Sequence, residues 1–162
     1  MTELTAILKQ LTQLHERFNE QALEKRDAVK VGDMQGLETI MKTESALIQE
    51  LRKLEKMRQV VTSSWLESRG LVKENVTVEE ILTHLGESDR EEMSKWQTRL
   101  VEQIQLLKEK NELNEQLIQE SLRFVNMSLD AVQPQRETEN YTRPNQQINA
   151  YDTPQSLFDS KA

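Results

Sequence analysis

Cysteine is absent from all 162 residues, and proline is absent until Pro134. Without cysteine there are no disulfides and no thiolate chemistry, a composition that fits a reducing compartment. Proline inside a helix forfeits a hydrogen bond and clashes with the preceding turn. Residues 1–133 are therefore free to run as long helices, and Pro134, Pro144 and Pro154 mark where they stop. The four glycines stand singly, so no glycine-rich loop exists to cradle a phosphate. Aromatics make up only 4% of the chain, which argues against a sheet protein. No apolar run approaches the ~18 residues of a membrane span, so no membrane insertion is expected. The start, Met1-Thr2-Glu3-Leu4, lacks the basic and apolar parts of a secretory leader, and a cytoplasmic location is expected. A basic surplus is missing too. The net charge of −7, with Lys and Arg interleaved among Glu, argues against nucleic acid as a partner.

What is present is helical in period. Only 36% of residues are apolar and 30% are charged, a balance suited to thin seams between helices rather than a thick core. The first helix is expected over Thr2–Val31, on the stripe Leu4, Ile7, Leu8, Leu11, Leu14, Phe18, Ala22, Lys25 and Val29. Gly32 supplies a left-handed stop and Asp33 a cap for the next helix, so the two form an antiparallel hairpin. The second helix is expected from Met34 to about Ser68, on Leu37, Ile40, Met41, Glu44, Leu47, Ile48, Leu51, Leu54, Met57, Val61 and Trp65. Gly36 in its first turn costs roughly 1 kcal/mol against alanine. A connector over residues 70–76 leads to a short helix, Val78–Leu85, opened by a Thr77/Glu80 capping box and closed at Gly86.

Ser88 and Glu91 repeat the capping-box spacing, which places the start of the long third helix of the bundle near Asp89 and its end near Val132. Its stripe is Met93, Trp96, Leu100, Ile104, Leu107, Asn111, Asn114, Ile118, Leu122, Val125, Leu129 and Val132. At 1.5 Å per residue it reaches ~66 Å, against ~45–52 Å for the hairpin helices, so one end must overhang or find another cover. The expected fold is thus all-α: a helical hairpin and a long third helix as a bundle domain over 1–133, with a short connector helix. Residues 134–162, rich in Asn, Gln and Pro and poor in aliphatics, are expected to be a disordered tail.

Catalysis finds no support, and no enzyme is expected. Ser63, Ser64 and Ser160 lack a histidine partner. Adjacent carboxylates such as Glu79-Glu80 and Glu91-Glu92 point different ways on a helix. Glu80 and His84 are one turn apart, but two ligands read more readily as a surface pair. His15 beside Glu16 reads as a helix-surface histidine. A di-iron bundle needs Glu-x-x-His, whereas Thr12 and Ile81 stand three residues before the two histidines. No metal and no cofactor are implied.

Three features point to binding. Asn111 and Asn114 interrupt the long stripe, either as a polar layer fixing register or as groups turned outward towards a bound peptide. Leu117, Ile118, Leu122, Phe124, Val125, Met127, Leu129 and Val132 spread wider than one stripe needs, so this stretch is apolar towards two partners. Tyr-x-x-Pro occurs twice in the tail, at Tyr141–Pro144 and Tyr151–Pro154, and reads as a pair of short docking motifs.

Three segments carry a resemblance. Lys30-Val31-Gly32-Asp33-Met34-x-x-Leu37 resembles the hairpin turn of the FlgN family of flagellar export chaperones. Asn111-Glu112-Leu113-Asn114-Glu115-Gln116-Leu117 resembles that family's third-helix core. Leu157-Phe158-Asp159-Ser160-Lys161-Ala162 is similar to the terminus of Bacillus-type members. The resemblance implies a cytoplasmic chaperone that binds the C-terminal helical segments of the two hook–filament junction proteins. It prevents their premature assembly and delivers them to the export gate. Cargo binding would fall on Leu117, Ile118, Leu122, Phe124, Val125, Leu129 and Val132, and gate docking on Tyr141 and Tyr151. The competing class is a homo-oligomeric coiled-coil adaptor without export cargo, and a homodimer is compatible with either.

Overall fold

The computed structural model describes residues 2–70 and 76–132. Among them are four helices: α1 (Thr2–Val31), α2 (Met34–Glu67), α3 (Val78–Thr83) and α4 (Glu87–Val132), with no strand. The expected tail over 134–162, most of the connector, and Tyr141 and Tyr151 lie outside the described residues.

The hairpin turns where glycine permits it. Gly32 sits at φ 69°, the left-handed region, and its N–H donates to the Val29 carbonyl at 3.2 Å. Asp33 then caps α2, its Oδ1 accepting from the Gly36 N–H at 2.9 Å. A Cβ at residue 36 would run into that carboxylate, so the glycine in the first turn is the space the cap occupies. Two ion pairs show the antiparallel sense: Arg17 with Glu50 at 3.0 Å and Lys25 with Glu44 at 2.7 Å. Lys25 and Glu44 are the charged members of the two apolar stripes, and each answers the other across the seam.

α4 lies parallel to α1. Arg99 pairs with Glu16 at 2.6 Å, Asn19 bonds Gln103, and Asn114 bonds Ala22, so both residue numbers rise together. α1 packs along both α2 and α4, while the α2 and α4 backbones do not approach one another closely. α1 is therefore buried from two sides. Ile7, Leu11, Leu14 and Phe18 meet Leu47 and Leu54 of α2, with Leu100 and Leu107 of α4 packed alongside. At the opposite end from the hairpin turn, α3 closes the bundle by setting Ile81 and Leu85 against Leu4, Leu8 and Met93. The Thr77/Glu80 capping box forms as the spacing predicts.

Two expectations are corrected. His15 is not a surface histidine: it is 9% exposed, tilted against Phe18, with Nδ1 2.8 Å from the Leu11 carbonyl. Burial from two sides puts a polar position beside the first stripe inside. Ser88 does not cap α4 either, because the helix begins two residues before the expected Asp89, at Glu87, and the Gly86 carbonyl accepts from the Arg90 N–H at 2.9 Å. Arg90 holds this junction, donating also to the Leu82 and Leu85 carbonyls.

The shared space at the α2 start generates a coupled prediction. Asp33→Ala should cost about 1 kcal/mol of stability by removing the cap. Gly36→Ala alone should be near neutral, since the propensity gain of about 1 kcal/mol is offset by displacing the cap. In the Asp33→Ala background the same change should stabilise by that full amount. Urea denaturation of the four proteins measures the coupling, and strictly additive effects would refute it.

Candidate functional site

The parallel register decides which end of α4 is left over. Asn114 is 4% exposed, and its Nδ2 donates to the Ala22 carbonyl at 2.8 Å. Four residues earlier Lys110 donates to the Asn19 carbonyl at 3.3 Å. Asn19, itself buried, donates to the Gln103 carbonyl and to its side chain. These bonds fix the slide of α4 along α1. Carried forward, their offsets of 84 to 92 residues set Val31, the end of α1, between the levels of Glu115 and Arg123, so at least Phe124–Val132, about 14 Å of helix, projects past the hairpin.

The exposure follows that geometry. Leu117 is half-buried and Ile118 is 37% exposed. Leu122, Phe124, Val125, Leu129 and Val132 are all exposed, Phe124 at 73% and Val132 at 80%. Met127 joins them. The two asparagines part company: Asn114 is the register-fixing polar contact, whereas Asn111 is exposed and faces the cleft between α2 and α4.

That cleft is a second feature, which the sequence reading did not find. It is a groove of about 660 Å³, open along its length, because α2 and α4 straddle α1 without closing on each other. Phe18 and His15 lie on its floor, with Ile48 and Leu51 on the α2 wall. Leu107, Asn111, Glu115, Ile118 and Gln119 line the α4 wall. The Lys25–Glu44 pair crosses at one side, with both carboxylate oxygens 2.7 Å from Nζ. The available signal was the pairing of Met41 and Ile48, seven residues apart beside the buried line Ile40–Leu47–Leu54; both are exposed. Among the described residues, no group of three or more His, Asp or Glu side chains could hold a metal ion. Glu80 is engaged in the capping box, and His84 stacks against Trp65 at 6.3 Å. Among the same residues no helix is long and apolar enough to cross a membrane.

The described residues thus form a helical hairpin carrying a longer helix parallel to α1, with an apolar groove and an apolar projecting end. The chain belongs to the FlgN family, whose model, described as FlgN protein, matches residues 1–148. That family is one of flagellar export chaperones. The chain is also 31% identical over 155 residues to "Uncharacterized protein YvyG" of Bacillus subtilis (strain 168), covering 96% of this chain and 94% of that protein. No solved structure matches.

The two asparagines yield opposite expectations. Asn114→Ala should lower stability by about 1–2 kcal/mol through loss of a buried inter-helix hydrogen bond. Asn111→Ala should stay within about 0.5 kcal/mol of the parent, as an exposed position does. Chemical denaturation distinguishes them, and equal losses would contradict the assigned roles.

Proposed function

We propose that this protein is a cytoplasmic export chaperone. It binds the C-terminal helical segments of the hook–filament junction proteins, keeps them from assembling early, and delivers them to the flagellar export gate. The observation that carries this reading is the C-terminal part of α4, where seven large apolar residues from Ile118 to Val132 are left exposed in a chain that belongs to the FlgN family. Soluble proteins rarely expose contiguous apolar surface of this kind without a partner. The physics of the task agrees. Segments that must form helical assemblies only after export carry apolar faces that need a temporary cover, and a helix laid against a helix provides one without chemistry. Ordering the segment on binding lowers the net affinity, which favours release at the gate.

Co-purification with candidate junction proteins tests the pairing directly. Leu122→Glu and Phe124→Glu, at positions 59% and 73% exposed, should leave the helical circular dichroism intact, and at least one of them should abolish binding of a junction-protein C-terminal segment. Undiminished binding by both folded variants would remove the end of α4 as the cargo site.

Delivery is assigned to the tail, by way of Tyr141 and Tyr151. Each tyrosine stands three residues before a proline that keeps the residue ahead of it extended. Truncation at Pro134 should leave cargo binding intact but reduce cargo secretion, and replacing both tyrosines by alanine should reproduce part of that defect. Normal secretion and motility with the truncated chain would refute the docking role.

A further inference from the structure

The end of α4 has two apolar faces, and only one of them continues into the groove. At about 100° per residue, Ile118, Leu122, Val125, Leu129 and Val132 fall within about 40° of one line. Leu113, Phe124 and Met127 fall at least about 120° away from Ile118. Ile118 belongs to the first line and is also a wall of the groove. The first line therefore runs from the projecting end to Ile118 in the groove, where Ile48 and Leu51 continue it across the cleft, while Asn111 and Asn114 separate it from Leu107.

We propose that the groove between α2 and α4 is the other half of the recognition surface. A bound amphipathic helix lays one apolar stripe first along Leu122–Leu129 and then between Ile48 and Ile118, with a basic residue set against Glu115. This rests on the proposed function and adds α2 to it. The chemistry of the occupant follows from charge. Of the charged groups lining the groove, Lys25 and Glu44 neutralise each other, which leaves Glu115. Among the described residues its recorded partner is the neutral Gln119 amide, at a long 3.4 Å. From Asn111 to Val132, α4 carries Glu112, Glu115, Glu120 and Asp130 against Arg123 alone.

The same charge count disfavours the other occupants. A second copy laid by the same line of α4 would set Glu115 against a segment that itself has an acidic surplus, and like charges across an interface oppose association. Residues 133–162 hold Arg136, Arg143 and Lys161 against Glu137, Glu139, Asp152 and Asp159, so the chain's own tail has no basic surplus to offer. A partner helix with an apolar stripe and a basic flank meets both conditions.

The test uses the full-length chain and a junction-protein C-terminal segment as probe, with affinity measured at low and high salt. Ile48→Glu and Glu115→Lys lie at exposed positions and should retain the parent circular dichroism. Each should weaken binding about tenfold or more, the scale of an interface anchor lost. Glu115→Lys should also flatten the salt dependence, because it removes the carboxylate that attracts the basic flank. Parent-like binding by both variants, together with loss in Leu122→Glu, would confine the cargo to the projecting end. The groove inference would then be wrong and the chaperone reading would stand. Parent-like binding in Leu122→Glu and Phe124→Glu as well would remove α4 and the groove together as the cargo site, and no binding of the segment by the parent chain would end the chaperone reading itself. A parent protein that sediments as a dimer, with Ile48→Glu monomeric, would show that a second copy fills the groove and would likewise overturn the proposal. So would a gain in affinity when residues 133–162 are removed, since the tail would then be the occupant.

Discussion

The rest of this structure depends on the polar register between α1 and α4. Leucine seams alone are tolerant of slide, since one helical turn shifts one apolar contact onto the next. Asn19 and Asn114 remove that tolerance, because each is buried and donates to a particular carbonyl or side chain of the opposite helix. A slip by one turn would leave both amides buried without these partners, at about 1–3 kcal/mol each. The parallel sense, the level of the hairpin turn along α4, and the length of helix left projecting are all set by those two side chains.

From that register the exposed surface follows by length. α4 has 46 residues and α1 has 30, so a parallel pairing started near the bundle's closed end must leave α4 unpartnered at the other. α3 occupies the closed end, where Ile81 and Leu85 seal Leu4, Leu8 and Met93 from water. The excess therefore cannot be taken up there. It emerges past Gly32 with its apolar residues intact. The groove has a related origin: two helices packed on opposite flanks of a third cannot also close on each other, and their outward-facing apolar residues remain accessible.

Much of this was legible in the sequence, because the signals for helix existence are local. The proline-free stretch and the single glycine followed by aspartate placed α1, the turn and α2 to within a residue or so of their observed bounds. What was not legible concerns helices facing two ways. A single stripe for α1 left His15 and Asn19 outside the core, yet both are buried, because α4 covers the flank that α2 does not. Nothing local encodes the parallel return of α4 across the connector. Ser88 had the right spacing for a capping box, but the chain starts α4 two residues earlier, at Glu87, held by Arg90 and the Gly86 carbonyl. The mixed stripe of α4 was readable, and only the inter-helix bond of Asn114 separates that residue from Asn111.

An apolar helix end that stays exposed is a compromise between two requirements. For the proposed function it has to be apolar enough to cover a partner's helix, yet not so apolar that it recruits a second copy of itself. Glu115 meets the second requirement by setting a charge beside the apolar line, in a segment where Glu112, Glu120 and Asp130 further outweigh Arg123, which raises the free energy of self-association more than that of binding a basic helix. Specificity of this kind comes from what is repelled as much as from what is attracted. The second apolar face, with Phe124 and Met127, sits on the far side of the same helix from the groove. A helix bound along the groove line would leave that face free, so two contacts could be made in sequence by one projecting helix.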